Sequence, residues 1–119
     1  MTYVIFGAEI NLNQEANVSN MYLDPSGLHL ILSFSPKDSR HPAEVFYIGS
    51  SNGHPKPKEI PQLKSHIVTA MAWNQEFVSE NVAPFLLGTS KGLIFEAEII
   101  NNEIRNCKQV RSKKSRYSS

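Results

Sequence analysis

The residues able to do chemistry fall into a few sets, and none of them makes a catalytic constellation. Gly88-Thr89-Ser90-Lys91-Gly92 has the composition of a phosphate-cradling loop, but not its order, which is a glycine, four residues and then Gly-Lys-Ser/Thr. No helical periodicity follows, so these five residues are expected to turn a β-hairpin. His29, His41, His54 and His66 stand 12, 13 and 12 residues apart with no cysteine beside them, which is not the spacing of metal ligands. They are expected at turns and on the surface. Glu96 and Glu98 share one strand face and imitate a pair of catalytic acids, but such a pair needs a cleft, so both are expected at a solvated edge. Cys107 is the sole cysteine, which excludes an internal disulfide or a Cys-based metal cage and fits a reducing compartment. These sets point away from an enzyme and imply no cofactor and no metal.

The remaining chemical feature is charge. The formal net charge is only +1, yet six of the twelve basic residues lie from Arg105 to Arg116 and no acid follows Glu103. Residues 1–104 hold six basic against eleven acidic side chains, a net of −5. A mildly acidic body therefore carries a basic ending, RSKKSRYSS, expected to be a disordered tail over 100–119. Arg105, Lys108, Arg111, Lys113, Lys114 and Arg116, with Tyr117 as the nearby aromatic, could attract nucleic acid or an acidic membrane surface. That is the alternative function, a basic-tail binding module on a small β-sandwich. Binding lost on removal of residues 101–119 would favour it.

The elements that position these residues are strands. Phe85-Leu86-Leu87 and Leu93-Ile94-Phe95 flank the Gly88–Gly92 loop, and the return strand turns polar through Glu96 and Glu98. Val18 to Leu23 reads as another strand. Asp24-Pro25-Ser26-Gly27 places proline second and glycine fourth, as a type I turn prefers. Leu28, Leu30, Leu32 and Phe34 then share one face of the returning strand, with His29, Ile31 and Ser33 on the other, so it belongs inside a sheet. The polar loop Ser35 to Pro42 leads to a strand over Ala43 to Ile48, and Asn52-Gly53 is expected to make the next tight turn. Pro55 to Pro61 alternates prolines with lysines, residues that blunt a sheet edge. These elements make a four-stranded antiparallel meander over about 18 to 63. A second begins at His66 to Trp73, with Ala70 and Ala72 on one face and Met71 and Trp73 on the other, and takes two more strands from the hairpin.

The two units repeat. Leu23-Asp24 corresponds to Trp73-Asn74, Leu30 to Ser33 corresponds to Phe85 to Gly88, and Val45-Phe46-Tyr47 corresponds to Leu93-Ile94-Phe95, at offsets of 50, 55 and 48. Several short strands repeating at about fifty residues are the pattern of β-propeller blades, and strands apolar on both faces suit blades packed between neighbours. The fold class is all-β, a partial propeller of about two blades. A small sandwich or barrel from the same strands is the alternative. The apolar opening Tyr3 to Ala8 lacks a basic start and is cut off by Glu9, too short for a signal peptide or a membrane span, and a cytosolic protein is expected. Asn17-Val18-Ser19 matches a glycosylation sequon but reads as the start of a strand.

VSNMYLDPSGLHLILSF, EVFYIGSS, LKSHIVTAMAWN and PFLLGTSKGLIFEAEI together resemble the amino-terminal propeller of the deep-orange family of vacuolar protein sorting-associated proteins. The resemblance covers Ile10 to about Ile99, taken as the domain at 10–99. Its motifs are a Leu-Asp-Pro-x-Gly-x-His turn, here carrying Asp24, Pro25, Gly27 and His29, and a Gly-Thr-x-x-Gly-x-Ile-Phe-Glu run, here carrying Gly88, Thr89, Gly92, Phe95 and Glu96, with Trp73 between them. It implies a non-enzymatic scaffold of the HOPS and CORVET tethering complexes, whose partners are other tethering subunits rather than nucleic acid. It also implies peripheral association with the cytosolic face of late endosomes, lysosomes or vacuoles. The further blades, α-solenoid and RING-type zinc domain of that family have no counterpart in these residues, so no zinc ligand carries over and a truncated product is expected.

Overall fold

The computed structural model describes residues 1–49, 55–74 and 82–111. Its strands are β1 (Thr2–Ile5), β2 (Ala8–Asn11), β3 (Ala16–Leu23), β4 (His29–Pro36), β5 (Glu44–Gly49), β6 (Lys58–Glu59), β7 (Val68–Ala72), β8 (Val82–Thr89), β9 (Ile94–Ile100) and β10 (Glu103–Gln109). They form a β1-β2 hairpin, a sheet ordered β3-β4-β5-β6 and a sheet ordered β10-β9-β8-β7, with neighbours antiparallel throughout. Each four-stranded sheet is thus a meander of consecutive strands, as the repeat requires. Strand β4 pairs with β5 from His29↔Gly49 to Phe34↔Glu44, and its counterpart β8 pairs with β9 from Val82↔Ile99 to Gly88↔Ile94.

Alternation along β4 builds both layers of the core. Leu30, Leu32 and Phe34 face the β1-β2 hairpin, where they meet Ile10, Leu12 and Ile48 with Tyr3 and Ile5 at the margin. Ile31, with Val45 and Tyr47 of β5, faces the second sheet and meets Phe85, Leu87, Phe95 and Ile99. All six residues from His29 to Phe34 are consequently buried, the condition of a central strand covered on both faces. Leu30, Leu32 and Phe95 are buried, while Trp73 is half-buried against Phe85 with ring centroids 4.6 Å apart.

Two expectations are corrected. The chain from residue 100 onward was expected to be a disordered tail, but Glu103–Gln109 is β10, the fourth strand of the second sheet. Asn101 and Asn102, both at positive φ, fill the two-residue turn from Ile100 to Glu103, the left-handed geometry that asparagine tolerates, and Cys107 buries its side chain in the core. The blunted edge at Pro55 to Pro61 is much shorter than expected. Lys58 and Glu59 pair with β5, the Ile60 N–H donates to the β5 carbonyl of Val45 at 2.8 Å, and a 3-10 turn over Pro61–Leu63 then seats Leu63 in the core. The Asn52-Gly53 turn lies outside the described residues, as do Lys113, Lys114, Arg116 and Tyr117.

Candidate functional site: the faces and rims of the paired sheets

The Asp24 turn is built from the backbone outward. Gly27 donates its N–H to the Asp24 carbonyl at 3.0 Å and sits at φ +76°, a conformation glycine adopts without Cβ strain. The buried Asp24 carboxylate accepts hydrogen bonds from Ser26 N–H (3.2 Å), Ser26 Oγ (2.6 Å), Leu28 N–H (3.1 Å) and His29 N–H (2.9 Å). Pro25 stays exposed at the tip. His29, expected near the surface, is instead fully buried, because the alternation of β4 puts it on the face with Ile31 and Ser33 that the second sheet covers. Its Nδ1 lies 2.7 Å from Tyr47 Oη and the two rings stack. Burial first, and the Asp24 charge second, pushes the Tyr47 phenol far above its ordinary pKa, so it remains a neutral hydrogen-bonding group. Replacing Asp24 by Ala is expected to cost about 1–3 kcal/mol, because several donors lose a charged acceptor at once. Chemical denaturation of the variant checks this, and a loss below about 0.5 kcal/mol would show that the turn does not need the carboxylate.

A polar clamp holds the two sheets together at Val68 of β7. Its carbonyl accepts from Asn20 Nδ2 (2.9 Å) and Tyr22 Oη (3.1 Å) of β3, and its N–H donates to Ser33 Oγ of β4 at 3.0 Å. Sequence reasoning missed this clamp, since Asn20 and Ser33 sit in the strand pattern as ordinary polar alternates.

The Gly88–Gly92 segment is the hairpin turn it was expected to be. Thr89 is buried and donates its N–H to the Leu93 carbonyl, while Gly92, at φ +78°, donates to the Thr89 carbonyl. Gly88 faces Ala70 across the β7-β8 ladder, and Phe95 is buried with its ring edge-on to His66. Glu96 and Glu98 are half-buried on the outer face of the second sheet. Glu96 lies 3.9 Å from Lys108, and Glu98 accepts from Asn106. The two motif segments are not brought together. The Asp24 turn precedes β4, whereas the β8-β9 turn lies beside the end of β4 at Ser35 and Pro36, at the opposite rim.

Among the described residues no group of three or more His, Cys, Asp and Glu side chains could hold a metal. Burial pushes the Cys107 thiol up to about 11, which leaves it a poor nucleophile near neutral pH. Of the basic cluster, Arg105 pairs with Glu103 at 2.6 Å and Lys108 with Glu96, so two of its cations are matched within their own sheet. Among the described residues the features open to a partner are surfaces. The outer face of the second sheet carries Ala70, Ala72, Leu86 and Ile94 around a shallow apolar cleft of about 310 Å³.

Consecutive four-stranded antiparallel meanders packed face to face are the architecture of β-propeller blades. The chain belongs to the Pep3/Vps18/deep orange β-propeller domain family, whose model matches residues 6–119. It is 31% identical over 96 residues to the vacuolar protein sorting-associated protein 18 homolog of Danio rerio, which covers 80% of this chain and 9% of that protein. It is 36% identical over 89 residues to the Drosophila melanogaster homolog, covering 69% and 9%, and 29% identical over 92 residues to vacuolar sorting protein 18 of Arabidopsis thaliana, covering 76% and 9%. The chain thus spans 9% of the length of the curated relatives it matches. The match runs beyond the expected limit at Ile99 and takes in β10 and the basic ending. No solved structure matches the chain significantly.

Proposed function

We propose that, within a longer protein of this family, this segment is a non-enzymatic protein-interaction scaffold in vacuolar protein sorting. The finer reading is membrane tethering, vesicle docking and fusion as part of HOPS- and CORVET-type complexes. Its partners are other tethering subunits, and it acts without a cofactor on the cytosolic side of late endosomal, lysosomal or vacuolar membranes. The folded unit is taken to start by Ile10 and to include β10. The observation that carries this reading is the family match over residues 6–119, joined by relatives that are named as sorting proteins. The matched charges of Arg105 and Lys108 support it over a nucleic-acid tail. The test is affinity purification of the full-length parent. Other tethering-complex subunits are expected to co-purify, whereas a parent that comes without them, yet binds nucleic acid through its basic segment, would end the trafficking reading.

A further inference from the structure

We propose that the rim where the two sheets meet carries a binding site for a phosphate monoester. In a meander the turn between the second and third strands leaves from the same end as the connection to the next sheet. The β4-β5 loop, the β8-β9 turn and the segment leading into β7 therefore converge. Between them lies an open cleft of about 570 Å³, within the size range of small-ligand sites. Its polar lining comes from Ser35, Ser39, Arg40, Ser65, Ser90 and Lys91, with the His41 imidazole beside them. No carboxylate lines it, although acids outnumber bases through residues 1–104. Hydroxyl donors together with cations suit the three acceptor oxygens and double charge of a phosphate monoester.

Of the two cations beside the cleft, one is unpaired among the described residues and the other is held by a carboxylate. Lys91 is exposed and has no ion partner among the described residues. Arg40 donates Nε and Nη2 to Asp38, at 3.1 and 2.7 Å, which steadies the guanidinium and offsets much of its charge while leaving Nη1 outside the pair. Asp38 itself is not part of the lining. Backbone geometry is a second, separate observation. Ser65 sits at φ +71°, rare for a residue other than glycine, and its N–H is tied to the Ala43 carbonyl at 2.8 Å, which fixes the β7 lead-in against β5. Strain of this kind concentrates at binding sites. The β8-β9 turn lacks the order of a phosphate loop, and here Ser90 and Lys91 contribute as side chains on a hairpin.

The test titrates the whole chain with soluble inositol trisphosphate and, separately, with neutral vesicles containing a phosphorylated inositol lipid. Lys91→Gln should weaken binding about tenfold, equivalent to about 1.4 kcal/mol, and Arg40→Gln, at the carboxylate-paired cation, by less, while Lys108→Gln on the outer sheet face leaves it unchanged. Trp73 fluorescence verifies that each variant folds. Vesicle binding displaced by the soluble phosphate would support the cleft and identify a lipid headgroup as the source. Binding of the soluble compound alone would support it with a free phosphate as the source. Absence of binding at millimolar concentration, equal loss with Lys108→Gln, or vesicle binding indifferent to Lys91→Gln would overturn the proposal.

Discussion

Leu32→Ala is expected to lower the unfolding free energy of the chain by about 2–5 kcal/mol, a large part of the roughly 5–15 kcal/mol that small proteins possess. Leu32 is fully buried at the middle of β4, in register with Met21 on β3 and Phe46 on β5. Its side chain belongs to the layer between the first sheet and the β1-β2 hairpin, so truncation removes apolar contact and leaves a cavity between two elements far apart in sequence. Met21→Ala is the internal comparison. It faces the same side but is 62% exposed, and its removal should change stability by less than about 0.5 kcal/mol. Denaturant titration of both variants decides the matter. Equal and small losses would mean that the hairpin does not cover β4 in solution.

Those two residues also show how far the sequence could be read. The strand over residues 28 to 34 was legible because apolar side chains occupy both alternating faces, something only a doubly covered strand tolerates. The Asp24 turn and the Gly88–Gly92 hairpin were legible because proline and glycine stand where backbone angles demand them. β10 was not legible from its side chains, since Glu103, Arg105, Asn106 and Lys108 read as solvated polar residues. They belong to an edge strand whose outer face reaches water, so only Cys107 and Ile104 report the core. The turn before it did carry a signal in Asn101-Asn102, which is a two-residue hairpin connection once both positive φ angles are allowed. Phe6-Gly7 is the same device between β1 and β2.

The polar parts of the site were the least legible. His29 reads as a turn histidine by sequence distance from Asp24, yet one step of alternation carries it into the core, where Tyr47 supplies a partner 18 residues away. The clamp on Val68 joins Asn20, Tyr22 and Ser33 to a backbone 35 to 48 residues distant. No local pattern encodes such contacts, because they depend on how one sheet docks on the next. The rim cleft is likewise a product of docking. Its serines and cations come from the end of β4, the β4-β5 loop, the lead-in to β7 and the β8-β9 turn, which only the docking of the sheets brings together.

The same docking relation governs the behaviour of the isolated chain, which is expected to bind a hydrophobic dye and to self-associate. The second sheet covers one face of the first through Phe85, Leu87, Phe95 and Ile99, but nothing in the described residues covers its own outer face, where Leu86 is 41% and Ile94 49% exposed beside Ala70 and Ala72. At the other end of the stack Val4 and Phe6 of the hairpin are also exposed. In a propeller, sheets such as these are covered by neighbouring blades, and contiguous apolar patches of this kind otherwise mark association sites. The β1-β2 hairpin has only two strands and is too small to be stable by itself, so its unpaired edges invite further strands. Leu86→Lys combined with Ile94→Lys should lower dye binding several-fold and shift the chain towards monomer in size-exclusion chromatography, because a charge desolvated in such a contact has no partner. Both changes lie on exposed positions, so the inner core should survive them, as a preserved β-sheet circular dichroism spectrum would verify. If the unaltered chain were already a soluble monomer with a sharp, reversible thermal transition, these strands would close on themselves, and the small sandwich or barrel would describe the isolated chain better than an open stack of blades.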